Sequence, residues 1–278
     1  MSRKAVALTT VVLLVIGLVV FGAWKAYDTI MTRLVQERCY VTLDGQEDPL
    51  ALTAEQSRNA AIIVAASFTA ELPSQAAVIA LTTAWQESGL RNLDYGDRDS
   101  LGLFQQRPSF GWGTEEQIMD PWYASGRFYE ELVKFDNWEN RDITEMAQAV
   151  QRSGFPDAYR KHEENAIALA GALRGSRPAA LACIDRTGNP GDPAVFADVV
   201  AAVPGVTSEV DGGTVRFAAE DETALWAATQ LALANTRDAG ILSAVLPEHS
   251  WEQGSEKTWR GESPEGQPGV ATLTLAEP

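Results

Sequence analysis

A chain of 278 residues has room for two modest domains, and 45% hydrophobic with 22% charged residues is enough to bury a core. The formal net charge of −16 excludes nucleic acid as a partner, because backbone binding needs a surplus of Lys and Arg to displace counterions. The same charge opposes bulk adhesion to an anionic surface, so residence at one would need a tether or specific contacts.

The tether is expected first. Ala5 to Trp24 is uncharged and rich in Val, Leu and Ile, and twenty residues at about 1.5 Å each span roughly 30 Å, one hydrocarbon core. The stretch reads as a transmembrane helix. A cleaved signal peptide is the alternative, but its apolar run would be shorter, and bulky Phe21 and Trp24 stand where a small-x-small site needs small residues. Arg3 and Lys4 favour a cytoplasmic N-terminus, while Lys25, Arg33 and Arg38 blunt the asymmetry. The two cysteines, Cys39 and Cys183, bracket one long segment. They are expected to form a disulfide, which fits an oxidising compartment, and two unrelated buried thiols are the other reading. The resulting expectation is a single-pass cell-membrane protein with the bulk of the chain extracytoplasmic.

Residues 1–38 are then anchor and stalk, and a short strand is expected at Tyr40 to Leu43. Thr53 and Gln56 make a capping box before the apolar run Ala60 to Phe68. Pro73 ends that helix, Ser74 is placed to cap the next, and Gln75 to Glu87 is apolar almost all round until Gly89 offers a left-handed stop. Thr114 with Gln117, and Asp120 with Pro121, mark further helix starts. Helices are expected at Ile143 to Gln151 and Asp157 to Leu173, closing a helical domain at 39–184. The Gly, Pro and Asp density of 185–193 reads as a linker. Beyond it, a helix at Val195 to Val203, strands at 206–210 and 214–218, a helix at 221–236 and strands at 241–246 and 270–275 make a small acidic α+β domain, 194–278.

Cleaving a glycosidic bond needs a carboxylic acid still protonated near neutral pH. Glu87 follows the small residues Ala80, Thr83 and Ala84 on its own helical face, beside Trp85. Desolvation there, with the negative end of the helix dipole, raises a carboxyl pKa. Taken alone, Glu87 reads equally as a surface residue at a fraying helix end. The motifs after it change that. Gln86-Glu87-Ser88-Gly89-Leu90, Gly96-Asp97-Arg98 and Ser100-Leu101-Gly102-Leu103-Phe104-Gln105 resemble, in order, the signatures of soluble lytic transglycosylases and goose-type lysozymes. Phe104 stands where that superfamily carries Met. A third block, Ala149 to Tyr159, falls where it carries Ala-Tyr-Asn-Ala-Gly and a later Tyr, with Val150 and Gln151 in place of Tyr-Asn.

The resemblance covers roughly Thr53 to Leu173. It implies a mainly α, lysozyme-like domain lying between the transmembrane helix and the α+β domain, acting on peptidoglycan glycan strands. Glu87 is then the catalytic acid, with Ser100, Gln105 and Tyr159 along the glycan groove. Asp97 resembles a water-positioning Asp of goose-type lysozymes, and reads as well as a turn residue paired with Arg98. The second acidic residue expected past the Gln turn is missing, since Gln106, Arg107 and Pro108 follow. Hydrolase and transglycosylase therefore both stay open. Among aromatics in loops, Tyr95, Phe110 and Trp112 are candidates to pack on sugar rings, while Trp122, Phe128 and Tyr129 are expected in the core. His162 is expected on a solvated helical face. Two histidines and two cysteines far apart signal no metal, and no cofactor is called for. The competing function is a non-catalytic glycan-binding envelope module, its C-terminal domain holding a protein partner.

Overall fold

The computed structural model describes residues 37–152, 158–254, 256–261 and 266–277, together with Gly17, Gly22, Ala23 and Lys25. Met1–Glu37 and Arg38–Pro278 form two compact units. The elements below belong to the second.

Strand β1 (Arg38–Val41) is the middle of a three-stranded antiparallel sheet, flanked by β2 (Leu50–Leu52) and β3 (Leu181–Ile184). Cys39 faces Cys183 in the β1–β3 register, and the two form a disulfide. Helix α1 (Ala54–Thr69) opens on the Thr53–Gln56 capping box, both reciprocal hydrogen bonds being made. Helix α2 (Ser74–Ser88) starts at Pro73, with no side-chain cap. The expected Ser74 cap is not formed, because Ser74 is already the first helical residue. Every residue from Ala76 to Ala84 is buried. Their small side chains let α1, α4 (Pro121–Leu132), α5 (Ile143–Gln151) and α6 (Glu163–Leu173) all pack on this one helix. Short α3 (Glu115–Ile118) carries the Thr114–Gln117 capping box, and Asp120 caps α4 with Pro121 at its start. The beginning of the helix expected from Asp157 falls partly outside the described residues. After it comes a 3-10 turn at Arg160–His162 that leads into α6.

Past β3, α7 (Ala194–Ala201), β4 (Thr207–Asp211), β5 (Thr214–Ala218), α8 (Glu222–Leu233), α9 (Thr236–Ala239), β6 (Ile241–Leu246), β7 (His249–Glu252), β8 (Arg260–Gly261) and β9 (Val270–Leu275) follow. The strands form one antiparallel sheet in the order β4-β5-β9-β6-β7-β8. Helix α8 joins this part to the helices before it. It is buried from Leu225 to Leu233 and packs on α6 and β3 as well as on α7, β5 and β9. Gly175, just past α6, meets α8 so closely that an added Cβ would lie 1.9 Å from the Thr223 carbonyl. With φ at +79° as well, the position admits only glycine. The buried Gln230 side chain accepts from the amides of Ala180 and Leu181 and donates to the carbonyls of Ala172 and Arg177.

Two expectations are corrected. The first is fold class: in place of a mainly α body with an appended module, the described residues form nine α-helices and two sheets, 45% helix and 18% strand, a mixed α+β fold. Short apolar runs at 38–41, 50–52 and 181–184 form a sheet that frames the helices, and α8 carries one core into the next. The second is the anchor. Among the described residues no helix is long and apolar enough to cross a membrane, contrary to the single-pass membrane anchor expected. The longest, α1, has 16 residues, about 24 Å at 1.5 Å per residue against a hydrocarbon core of about 30 Å. Of the Ala5 to Trp24 stretch, only Gly17, Gly22 and Ala23 are among the described residues.

Candidate active site

The site is built on the end of α2. Gly89 adopts the left-handed conformation, at φ 66°, and its amide bonds back to Trp85, while Leu90, also left-handed, bonds back to Ala84. The exit is tied to α1, since Gln56 Nε2 donates to the Gly89 carbonyl and Asn59 Nδ2 to that of Leu90. Glu87 thus sits in a last turn fixed on both sides, among carbonyls that disfavour a carboxylate.

Tyr159, almost completely buried, donates its hydroxyl to Glu87 Oε1 at 2.5 Å. Burial pushes the Glu87 carboxyl above its ordinary value, and the Tyr159 hydrogen bond opposes that rise. Desolvation is the larger cause, so the net shift is toward holding the proton. A second contact lies alongside. His162 stacks on Trp85, ring centroids 6.0 Å apart, with Nε2 3.3 Å from Gln86 Oε1. Expected on a solvated face, His162 is half-buried, because the 3-10 turn rotates it toward α2. Burial first, and Lys161 second, hold its imidazole below the usual value.

Ser88 joins α2 to the motif that follows. Its hydroxyl lies 2.7 Å from the Leu103 carbonyl and 3.0 Å from that of Ala84. Gln151 Nε2, at the end of α5, donates to the Phe104 carbonyl at 2.7 Å. Two successive carbonyls of the Leu103-Phe104 turn are therefore held from two helices. Phe104 stacks on Phe128, centroids 4.7 Å apart, both fully buried. Gln105 is left-handed, at φ 48°, and its side-chain Nε2 donates to the carbonyls of Tyr95 and Gly102. A Cβ on Gly96 would lie 2.6 Å from the Ser100 backbone carbonyl oxygen, besides displacing the Gln105 side chain, which accounts for glycine there.

No family model matches the chain, and no characterised protein matches it. The site is accordingly read from its own geometry. Glu87, Ser88 and Tyr159 come together, and Gln105 belongs to the loop docked on Ser88. Ser100 is buried, its amide bonded to the Asp97 carbonyl. Asp97 stands on an exposed turn, its carboxylate 91% exposed and 3.9 Å from Arg98. Tyr95 is 63% exposed, and Trp112 is half-buried under the Arg127 guanidinium, its carbonyl accepting from Tyr123. Phe128 and Tyr129 lie in the core as expected. Gln151, Gln86, Asp99 and Arg107 are the residues that sequence reasoning passed over. Only Gln151 carried a signal, standing in the Ala149 to Tyr159 block that the sequence singled out. Among the described residues no group of His, Cys, Asp or Glu is placed to hold a metal ion.

Proposed function

We propose that this chain cleaves the glycan strands of peptidoglycan by general-acid catalysis at Glu87, as a muramidase or lytic transglycosylase. The observation that carries the reading is one carboxyl, partly desolvated at a helix end and bonded to a buried tyrosine. Since the Tyr159 hydroxyl engages Oε1, the proton resides on Oε2, from which it passes to the leaving glycosidic oxygen as the bond to the sugar breaks. The ordered resemblance of the Glu87, Gln105 and Tyr159 segments to lytic transglycosylases and goose-type lysozymes supports the same assignment. The exposure of Asp97 favours the branch in which the substrate's own C6 hydroxyl attacks, giving 1,6-anhydro ends.

The test is to incubate the protein with purified peptidoglycan and weigh the released fragments. Glu87→Gln is expected to lower the rate by roughly 10² to 10⁴-fold, because an amide has the acid's shape without its proton. Asp97→Asn is expected to keep most activity with anhydro products, and a large loss would instead assign water activation to Asp97. Glycan binding without cleavage by the unaltered protein would make it a non-catalytic glycan-binding module.

A further inference from the structure

The loop after Gln106 contains a side-chain arrangement that neither the acid nor the fold requires. Asp99 Oδ1 accepts from Arg107 Nε at 2.6 Å and its Oδ2 from the Ser109 amide at 2.9 Å, while Arg107 also donates to the Ser109 hydroxyl at 3.2 Å. Ser109, through its side chain and then its amide, and Arg107 after it hold the Asp99 carboxyl well below the usual carboxylate range. These bonds also fix the Arg107 guanidinium 4.3 Å from the centre of the Phe110 ring. The ring itself is 60% exposed, on a 3-10 turn that opens with Pro108 and closes with left-handed Gly111. A large apolar ring on a surface normally loses its contacts to water. Here it is backed on one face by a cation and seated on a stiff turn, with much of its surface toward solvent.

We propose that Phe110 is a saccharide platform, a subsite on which one pyranose ring of the glycan strand stacks, and that Asp99 and Arg107 are its positioning residues. This rests on the glycan-cleaving reading. The chemistry fits a sugar because the axial C–H groups of a pyranose carry slight positive charge and meet the negative face of an aromatic ring. A ring already ordered by its guanidinium loses little freedom when the sugar arrives. The loop is also physically continuous with the acid's support: Gln106 bridges Leu101 in an antiparallel pair, and the intervening turn is held by Ser88 and Gln151. Among the three aromatic candidates the geometry separates Phe110 from the others. Trp112 is half-buried and packed against the core, and of the two exposed rings it is that of Phe110, rather than Tyr95, that is backed by a guanidinium.

The test measures binding rather than turnover. In the full-length Glu87→Gln background, peptide-free GlcNAc–MurNAc strands are titrated calorimetrically. Phe110→Ala is expected to weaken binding about tenfold, Phe110→Trp to preserve it, and Phe110→Leu to behave like Ala because it is apolar but not flat. Asp99→Asn should weaken binding by a smaller factor while leaving the folded-state spectrum unchanged. Equal affinity for wild-type Phe110 and Phe110→Ala overturns the platform and leaves the catalytic reading standing. So does full affinity in Phe110→Leu. Absence of any glycan binding in the background protein overturns both together.

Discussion

Glu87 connects chemistry to stability. Its folded-state pKa is raised above the unfolded value, mainly by burial, so the folded protein holds that proton more tightly, and stability falls as pH rises through the interval between the two values. Glu87→Gln removes the titration. The variant is expected to be more stable than the parent at about pH 7 and to lose that advantage by about pH 3, where the parent's Glu87 carboxyl is protonated in both the folded and the unfolded state. Urea midpoints at the two pH values check this, and an equal difference at both would show that burial of the charge is not the cause. Tyr159→Phe removes the hydrogen bond that holds the Glu87 pKa down, so the alkaline limb of the activity profile should move to higher pH. Gln230 is the purely structural counterpart. Its one side chain satisfies two amides and two carbonyls, and Gln230→Leu leaves all four without that partner. The Ala172 carbonyl keeps the Gly175 amide, so three groups are orphaned, and at about 1 kcal/mol or more for each the loss is expected to reach at least about 3 kcal/mol by denaturant titration.

Among elements, the 185–193 stretch has the composition of a linker but is strapped in place. Asp185 bonds through its amide to Gln253, Asn189 through its side chain to the Arg237 carbonyl, and Asp192 through its amide to the Ala239 carbonyl. Limited proteolysis is therefore expected to spare it, whereas early cutting there would mean that the straps open readily. The composition was legible and the straps were not, because their partners lie 47 to 68 residues ahead in sequence. Capping boxes at Thr53 and Thr114 and the Gly89 stop were legible for the opposite reason: each is complete within a few residues. The disulfide belongs to the sheet that it crosses. With 144 residues between its cysteines, the chain-entropy model gives about 5 kcal/mol for its loss, and the pair replaced by alanine is expected to lose about 2 to 5 kcal/mol.

At the scale of the molecule, α8 makes the two regions distinguished in the sequence depend on each other. A chain cut after Ile184 would lose Gln230 from the Ala180 and Leu181 amides, Trp259 from the Leu181 carbonyl and the cover over α6 and β3. Fragment 38–184 is expected to lack the dispersed amide spectrum of a folded protein, and a cooperative melt of that fragment would overturn this. The sequence by itself determined most helix starts, the strands at 214–218, 241–246 and 270–275, the buried character of α2 and the motif around Glu87. Caps, turns and two-residue alternation are settled by neighbours along the chain. Apolarity alone says that a face will be covered, not by what, so the sequence did not reveal α8 as a shared centre or limit the described helices to lengths below a membrane span. The Cys39–Cys183 pairing expected from the sequence is formed, but only the tertiary structure set the Tyr159 hydroxyl on the Glu87 carboxyl across 72 residues and His162 onto Gln86 across 76. Contacts at that separation depend on how the whole chain closes, because each is stabilised by the packing of every element between.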